Sequence, residues 1–383
     1  MPERVDVAVI GAGVIGLAIA AELSRERQVV VLERHESYGR ENSSHNSGVI
    51  HAGIYYPAGW LKTQLCIEGN LLLYRWAEEH GVRARRTGKL VIASEPSELP
   101  ALEALYESAL ANGVPELSLL QSAADVRELE PHIEAVAALF SGSTGVIDQM
   151  ELMRSYRTVA EANGAFVAFK HTVTSLSREG GGLAIGALDP EGGSFQLEAA
   201  VLVNAAGLAA DGTAALLGYP IDGSGAVPRL RQRIVKGRYY DIVNPEKAAL
   251  VSRPVYPLPH GDRAGLGTHL TVDIDGGVHL GPDTEWLDDG ATLDFRADDT
   301  RRHEFVAAAR RFLPWLEPDD VMPGQVGYRT KLHDPGAAAA DFLVWHDRGY
   351  VHLGGIESPG MTASLAIARR VAALLGGAER QEP

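Results

Sequence analysis

A short apolar strand that runs straight into a glycine turn constrains this chain more than any other feature. Val5-Asp6-Val7-Ala8-Val9-Ile10 reads as the strand, Gly11-Ala12-Gly13-Val14-Ile15-Gly16 as the turn, and Leu17 to Arg25 as the helix it opens. Val29-Val30-Val31-Leu32 reads as a second strand, ended by Glu33. This order of strand, Gly-x-Gly-x-x-Gly turn, helix, strand and acidic residue suits the ADP half of a dinucleotide. Gly11 permits the tight turn, Gly13 lets a phosphate approach the backbone, and Gly16 lets helix and strand pack closely. The helix N-terminus offers unpaired N–H groups and a partial positive charge to the pyrophosphate. Glu33 falls where a carboxylate meets the ribose hydroxyls.

At 383 residues the chain is long enough for two or three domains. A formal net charge of −15 argues against a nucleic-acid partner, because no basic surplus neutralises phosphates. An anionic substrate must therefore meet a local cluster of cations. Cys66 is the single cysteine, so an intrachain disulfide or a cysteine-held metal cluster is ruled out. No metal site is expected. The first strand begins too near Met1 for a signal peptide, and no apolar run is long enough to span a bilayer. The chain is expected in the cytoplasm, with peripheral contact to the inner face of a membrane left open.

The pattern along the chain implies an α/β protein with a discontinuous, Rossmann-like nucleotide domain and a second domain built on a mainly antiparallel sheet. The nucleotide domain is expected over 1–81, 145–226 and 335–383, and the substrate domain over 82–144 and 227–334. A helix is expected over Gly59–His80, with Leu61, Leu65, Leu72 and Trp76 on one face. Ala200–Val203 reads as a strand that enters Asn204-Ala205-Ala206-Gly207, a second cofactor-contacting turn of the same sheet. From Val227 to Asp294, strand-like runs alternate with Gly, Pro and Asp turns, as in antiparallel sheets. Phe342–Trp345 and Tyr350–Leu353 read as strands, and Met361–Leu375 as a helix.

Three features favour FAD over nicotinamide. The fingerprint is N-terminal, with other parts of its domain coming from the middle and end of the chain. The loop Glu41-Asn42-Ser43-Ser44-His45-Asn46-Ser47-Gly48 is rich in short donors suited to a pyrophosphate and ribityl chain. Gly354-Gly355-Ile356-Glu357-Ser358-Pro359-Gly360 opens a helix whose N-terminus would stabilise the negative charge of a reduced flavin ring.

Asn46-Ser47-Gly48-Val49-Ile50-His51-Ala52-Gly53-Ile54-Tyr55-Tyr56, Leu61-Lys62 and Leu65-Cys66 resemble the L-2-hydroxyglutarate oxidase/dehydrogenase family. So do Gly267-Thr268-His269-Leu270-Thr271, Gly281-Pro282-Asp283, Gly327-Tyr328-Arg329 and Gly355 through Ser364. The wider group is the D-amino-acid-oxidase-like flavoproteins, and the resemblance spans essentially the whole chain. Val235-Lys236-Gly237-Arg238-Tyr239-Tyr240 follows the family's pattern only approximately. The resemblance implies noncovalent FAD and oxidation of an L-2-hydroxy acid, most simply L-2-hydroxyglutarate to 2-oxoglutarate, by hydride transfer to flavin N5. Electrons would pass on to oxygen, a quinone or an electron-transfer protein. The alternative within the same fold is an amino-acid or N-methyl-amine oxidase.

That chemistry needs a base and cations. His51 is the first candidate base, since histidine titrates near neutrality and the resemblance places its loop beside the isoalloxazine. His269 is the second candidate, as base or as substrate donor. In the wider group an arginine at a motif like that of Arg329 grips the substrate carboxylate, and guanidinium suits this bidentate task. Tyr55, Tyr256 and Lys236 complete the candidate substrate set, although core packing explains the tyrosines equally well. Arg229, Arg231 and Arg233, spaced to share one face of a strand, could meet a second carboxylate or form a solvated edge. Candidate cofactor contacts are Gly11, Gly13, Val14, Ile15, Gly16, Glu33, Arg34, Ser43, Ser44, His45, Asn46, Ser47, Gly48, Val49 and Val173. Ala205, Ala206, Gly207, Gly355, Ile356, Glu357, Ser358, Pro359, Gly360, Met361 and Thr362 complete that set. Cys66, on an amphipathic helix, reads as a buried thiol.

Overall fold

A computed structural model of the protein describes residues 3–258 and 268–378. Gly267 of the His269 motif lies outside these. The chain forms two compact units, one from Met1–Ser44, Gln149–Ile234 and Arg329–Pro383, the other from His45–Asp148 and Val235–Tyr328.

The first unit is built on an eight-stranded sheet. The strands Glu3–Ile10 and Val29–Glu33 pair in parallel, and Glu3–Ile10 also pairs in parallel with Ser194–Asn204. All five residues of Val29–Glu33 are buried, as parallel strands covered on both faces require. Helix Val14–Leu23 packs against helices Gln149–Ala162 and Gly360–Ala378. Its buried Gly16, Ala18, Ala20 and Ala21 let those helices approach. The strand Ser194–Asn204 is longer than the Ala200–Val203 reading. Its first half is an antiparallel partner of Gly182–Leu188, where polar residues alternate and weaken the apolar signal.

The second unit carries a nine-stranded sheet, mainly antiparallel as expected. Lys89–Ala93 and Val255–Pro257 pair in parallel. Successive residues of Lys89–Ala93 face opposite cores. Leu90 and Ile92 enter the cluster that contains Tyr240, Phe305 and Phe312. Val91 and Ala93 enter another, with Ala52, Ile54, Leu102 and Leu258. Lys89 shares the parity of the second set.

Residues 45–81, expected in the nucleotide domain, belong to the second unit. The cause is local. Helix Leu61–His80 holds the His51 carbonyl through Asn70 (2.9 Å) and Cys66 (3.6 Å), and Asn70 also donates to the Ser143 carbonyl at 2.9 Å. The remaining boundaries differ from the expected ones by four to eight residues: Gln149 against 145, Ile234 against 226 and Arg329 against 335.

Candidate functional site

Within the first unit, the glycine turn is fixed by its neighbours. Gly11 has φ +100°, and a Cβ there would come within 2.6 Å of the Ala205 carbonyl oxygen. A Cβ on Gly16 would overlap the Gly11 carbonyl oxygen, and one on Gly13 would reach the Ser43 hydroxyl at 2.9 Å. The second turn therefore lies against the first: Ile10 pairs with Asn204, and Ala205 N donates to the Ile10 carbonyl at 3.0 Å. Asn204 donates to the Ala210 carbonyl and to Tyr350, and its own oxygen accepts from Ala206 N. Gly207 adopts φ +53° and opens a short 3-10 turn before helix Ala210–Leu216.

Glu33 is buried and doubly anchored. Its two oxygens accept from Ala12 N and His35 N, each at 2.8 Å. Each carboxylate oxygen retains a further acceptor site. Val14 N, at the start of the helix, donates to Ser43 at 3.0 Å, and Ser44 donates to the Glu41 carbonyl. Arg34 is ion-paired with Glu41, which His35 also meets at 3.0 Å. Burial alone would raise the Glu41 carboxyl, but the bonds from His35 and Arg34 outweigh it and hold it below its ordinary value. Val173, on strand Thr172–Glu179, packs against the hydrophobic core.

The loop before the last helix is equally specific. Gly355 has φ +63°, its N–H donates to Gln232 at 2.9 Å, and a Cβ would meet Leu332. Glu357 is ion-paired with Lys331 at 2.7 Å. Gly360 N donates to the Glu357 carbonyl and Ala363 N to that of Pro359, while a Gly360 Cβ would meet Ile356 at 2.8 Å. Ser358 and Pro359 are joined by a cis peptide bond. Met361 is partly buried and Thr362 fully so in the first turn of helix Gly360–Ala378. Turn, helix N-terminus, fixed carboxylate and this second helix start suit the pyrophosphate, ribose and pyrimidine of FAD.

The second unit gathers a different set. Its sheet register brings Lys89, Tyr256 and His269 to one face: Tyr256 pairs with Val91, and Val255 with Leu270. His269 and Tyr256 are then cross-strand neighbours. Their rings stack at 3.6 Å with an interplanar angle of 8°. His269 is buried. The segment from His45 to Tyr55 covers this face. Gly53, at φ +94°, places it against Ile67 of the helix. The His45 ring packs against Phe295, and a Cβ on Gly327 would overlap the His45 carbonyl. Asn46 accepts from Gly48 N and, through its carbonyl, from Gln325. Ser47 is hydrogen-bonded to Tyr256. Val49 pairs with Val146 in a small three-stranded sheet, and Ile147 N donates to the Gly48 carbonyl.

Lys89 is the residue that sequence reading missed. It is 1% exposed, and its ammonium lies 4.8 Å from the centre of the Tyr55 ring and 4.6 Å from that of Tyr256. Its backbone is paired with Ser141, but among the described residues its ammonium has no hydrogen bond or ion pair. Burial pushes it down to about 7, against a small opposite effect of Cys66. Burial, with the Lys89 charge added, pushes the His51 imidazole down to about 3. Part of the His51 surface remains accessible. The direction of its shift, a neutral imidazole at neutral pH, is what the geometry supports. The Tyr55 hydroxyl is buried and lacks a partner among the described residues. Cys66 is a buried free thiol, pushed up to about 12 by burial, and so is no nucleophile at neutral pH. The available signal was the parity of Lys89 with Val91 and Ala93, a charge on the buried face of a strand.

The expected cations Lys236, Arg229, Arg231 and Arg233 are bound by carboxylates. Lys236 shares the parity of Arg238 and Tyr240, and all three meet Asp298; Lys236 Nζ is 3.3 Å from its carboxylate. The candidate assignment of Lys236 to substrate is thereby corrected: it lies on the sheet's other face, in an ion network. The arginine trio also fails as an anion site. Residues 229–232 are not a strand, Arg229 and Arg233 both grip Asp334, and Arg231 grips Asp222. Arg329 is partly buried near the end of strand Val321–Lys331. Among the described residues, no cluster of His, Cys, Asp and Glu could hold a metal ion, and no helix is long and apolar enough to cross a membrane.

The first unit carries a strand–glycine turn–helix nucleotide site and the second a sheet-borne cluster of histidine, tyrosine and lysine; the class that has both is the flavin-dependent oxidoreductases. The chain belongs to the FAD-dependent oxidoreductase (DAO) family, whose model it matches over residues 6–374, and its cofactor is FAD. It is 35% identical to the mitochondrial L-2-hydroxyglutarate dehydrogenase of Arabidopsis thaliana, over 97% of this chain and 83% of that protein. It is 27% identical to the L-2-hydroxyglutarate dehydrogenase of Escherichia coli, over 96% and 92%. Among solved structures it resembles the L-α-glycerophosphate oxidase of Mycoplasma pneumoniae with FAD bound. There the TM-score is 0.85 at 26% identity, over 98% of this chain and 95% of the other.

Proposed function

We propose that the protein oxidises L-2-hydroxyglutarate to 2-oxoglutarate, with His51 as the base. The observation that carries this reading is the cluster of Lys89, Tyr256 and His269 on one sheet face, met by Tyr55 and His51 from the segment over it, in a chain whose relatives are named L-2-hydroxyglutarate dehydrogenase. Bound FAD supplies the two-electron acceptor for the carbinol C–H. Gly11, Gly13, Val14, Ile15 and Gly16 would hold its pyrophosphate, Glu33 its ribose, and the Gly355–Thr362 segment its pyrimidine. His51 presents a neutral nitrogen that takes the hydroxyl proton as the C–H bond breaks. Its backbone cannot drift, because Cys66 and Asn70, one helical turn apart, hold its carbonyl. His269, locked flat against Tyr256, donates to a substrate oxygen without changing rotamer.

Adding L-2-hydroxyglutarate anaerobically should bleach the flavin's visible absorbance, and the D enantiomer should not. Bleaching by glycine, proline or N-methyl amines instead would replace this reading with amine oxidation.

Arg329 would clamp the 2-carboxylate through two parallel hydrogen bonds. Loss of a charge-assisted hydrogen bond costs about 1.5–3 kcal/mol. Arg329→Met should therefore lower kcat/KM at least tenfold while FAD stays bound. An unchanged kcat/KM would remove Arg329 from the site.

A further inference from the structure

We propose that Lys89 receives the second carboxylate of the substrate and so selects dicarboxylic over monocarboxylic 2-hydroxy acids. This rests on the hydroxy-acid reading above and deepens it. Among the described residues no carboxylate meets the buried Lys89 ammonium; such a charge is costly, and a protein resolves that cost by losing the proton or by binding an anion. Around Lys89 stand His51, Tyr55, Cys66 and Tyr256, with Tyr239 and His269 beside Tyr256. None of these is anionic at neutral pH: the Tyr55 and Tyr256 phenols and the Cys66 thiol are all pushed up by burial. The two ring faces stabilise a cation without neutralising it. The Tyr55 hydroxyl, buried and without a partner among the described residues, is a donor for the same anion. The other basic residues that sequence reading offered for this task, Arg229, Arg231, Arg233 and Lys236, are bound by Asp334, Asp222 and Asp298.

Binding is then coupled to protonation. A free-enzyme value of about 7 for Lys89 leaves the ammonium partly deprotonated at neutral pH, and a bound carboxylate restores the proton. Dicarboxylate affinity is full below pH 7 and falls as pH rises through 7, by up to tenfold per unit. The same anion offsets the Lys89 field at His51 and so raises the imidazole's proton affinity. A dicarboxylate thus strengthens the base that acts on it.

The test uses the FAD-loaded protein and two substrates, L-2-hydroxyglutarate and L-2-hydroxypentanoate, which lacks the distal carboxylate. In Lys89→Met the preference for the dicarboxylate in kcat/KM should fall at least tenfold, mainly through KM; removal of the Lys89 charge at His51 acts on the monocarboxylate too and should not lower its kcat/KM more than threefold. An unchanged preference, or equal losses on both substrates, overturns the proposal. Should the variant fail to retain FAD, the wild type decides. Glutarate binding, read from the flavin spectrum, should weaken at least tenfold from pH 6 to pH 8.5, and pH-independent binding overturns the proposal. If the wild type is bleached by neither hydroxy acid, the reaction reading fails, while the glutarate titration still reads Lys89.

Discussion

His51→Ala is expected to slow anaerobic reduction of the flavin by L-2-hydroxyglutarate roughly 10²- to 10⁴-fold, the worth of a positioned base. The loss should fall on the reductive step. FAD retention should stay near wild type, because the glycine turn, Glu33 and the Gly355–Thr362 segment all belong to the other unit. Stability should change little, since Asn70 and Cys66 hold the backbone carbonyl of residue 51 and alanine keeps that carbonyl. Burial and the Lys89 charge keep the imidazole neutral, so His51 contributes no acid limb to the rate profile between pH 5 and 8. Stopped-flow traces of the flavin's visible absorbance would check it. A His51→Ala rate within threefold of wild type would pass the role of base to His269.

What the sequence disclosed, and what it hid, follows from the range of the interactions. The turn at Gly11–Gly16 and the acid at Glu33 are local, and the structure joins them through Ala12 N. The turn Asn204–Gly207 was legible as a motif, but its seat against Gly11 depends on strand pairing, Ile10 with Asn204, between residues 194 apart in sequence. Lys89 stayed hidden for the same reason. Alone, a lysine at the start of Lys89–Ala93 looks like a strand end reaching water. Only the parallel pairing with Val255–Pro257 and the cover from the His45–Tyr55 segment show that its face is closed. The arginine trio stayed open to two readings in the sequence because charge spacing carries no information about partners. Asp222 lies 9 residues from Arg231, and Asp334 lies 105 and 101 residues from Arg229 and Arg233, separations that composition does not reveal. Strand Val321–Lys331 was missed because Pro323 and Gly324 break its apolar pattern.

Gly11→Ala should cost the protein its FAD and a large part of its fold. Two penalties combine at this position. The backbone sits at φ +100°, which an L side chain adopts at a cost of about 1–3 kcal/mol. The new Cβ would also press to 2.6 Å from the Ala205 carbonyl oxygen, and overpacking of this kind costs about 1–3 kcal/mol more. That oxygen cannot retreat freely, because Ala205 N is tied to Ile10 and Asn204 is tied to Ala210 and Tyr350. Against a native stability of about 5–15 kcal/mol, the sum is a large fraction. Gly218→Ala is the matched control in the same unit. Its φ of +83° incurs the backbone penalty, but nothing lies within 4 Å of the added carbon. The control should melt only slightly early and stay yellow through desalting, whereas Gly11→Ala should elute colourless with a much lower Tm. If both variants kept FAD and melted alike, the close seat of the two turns would have no energetic meaning, and the glycine at position 11 would serve the turn's φ alone.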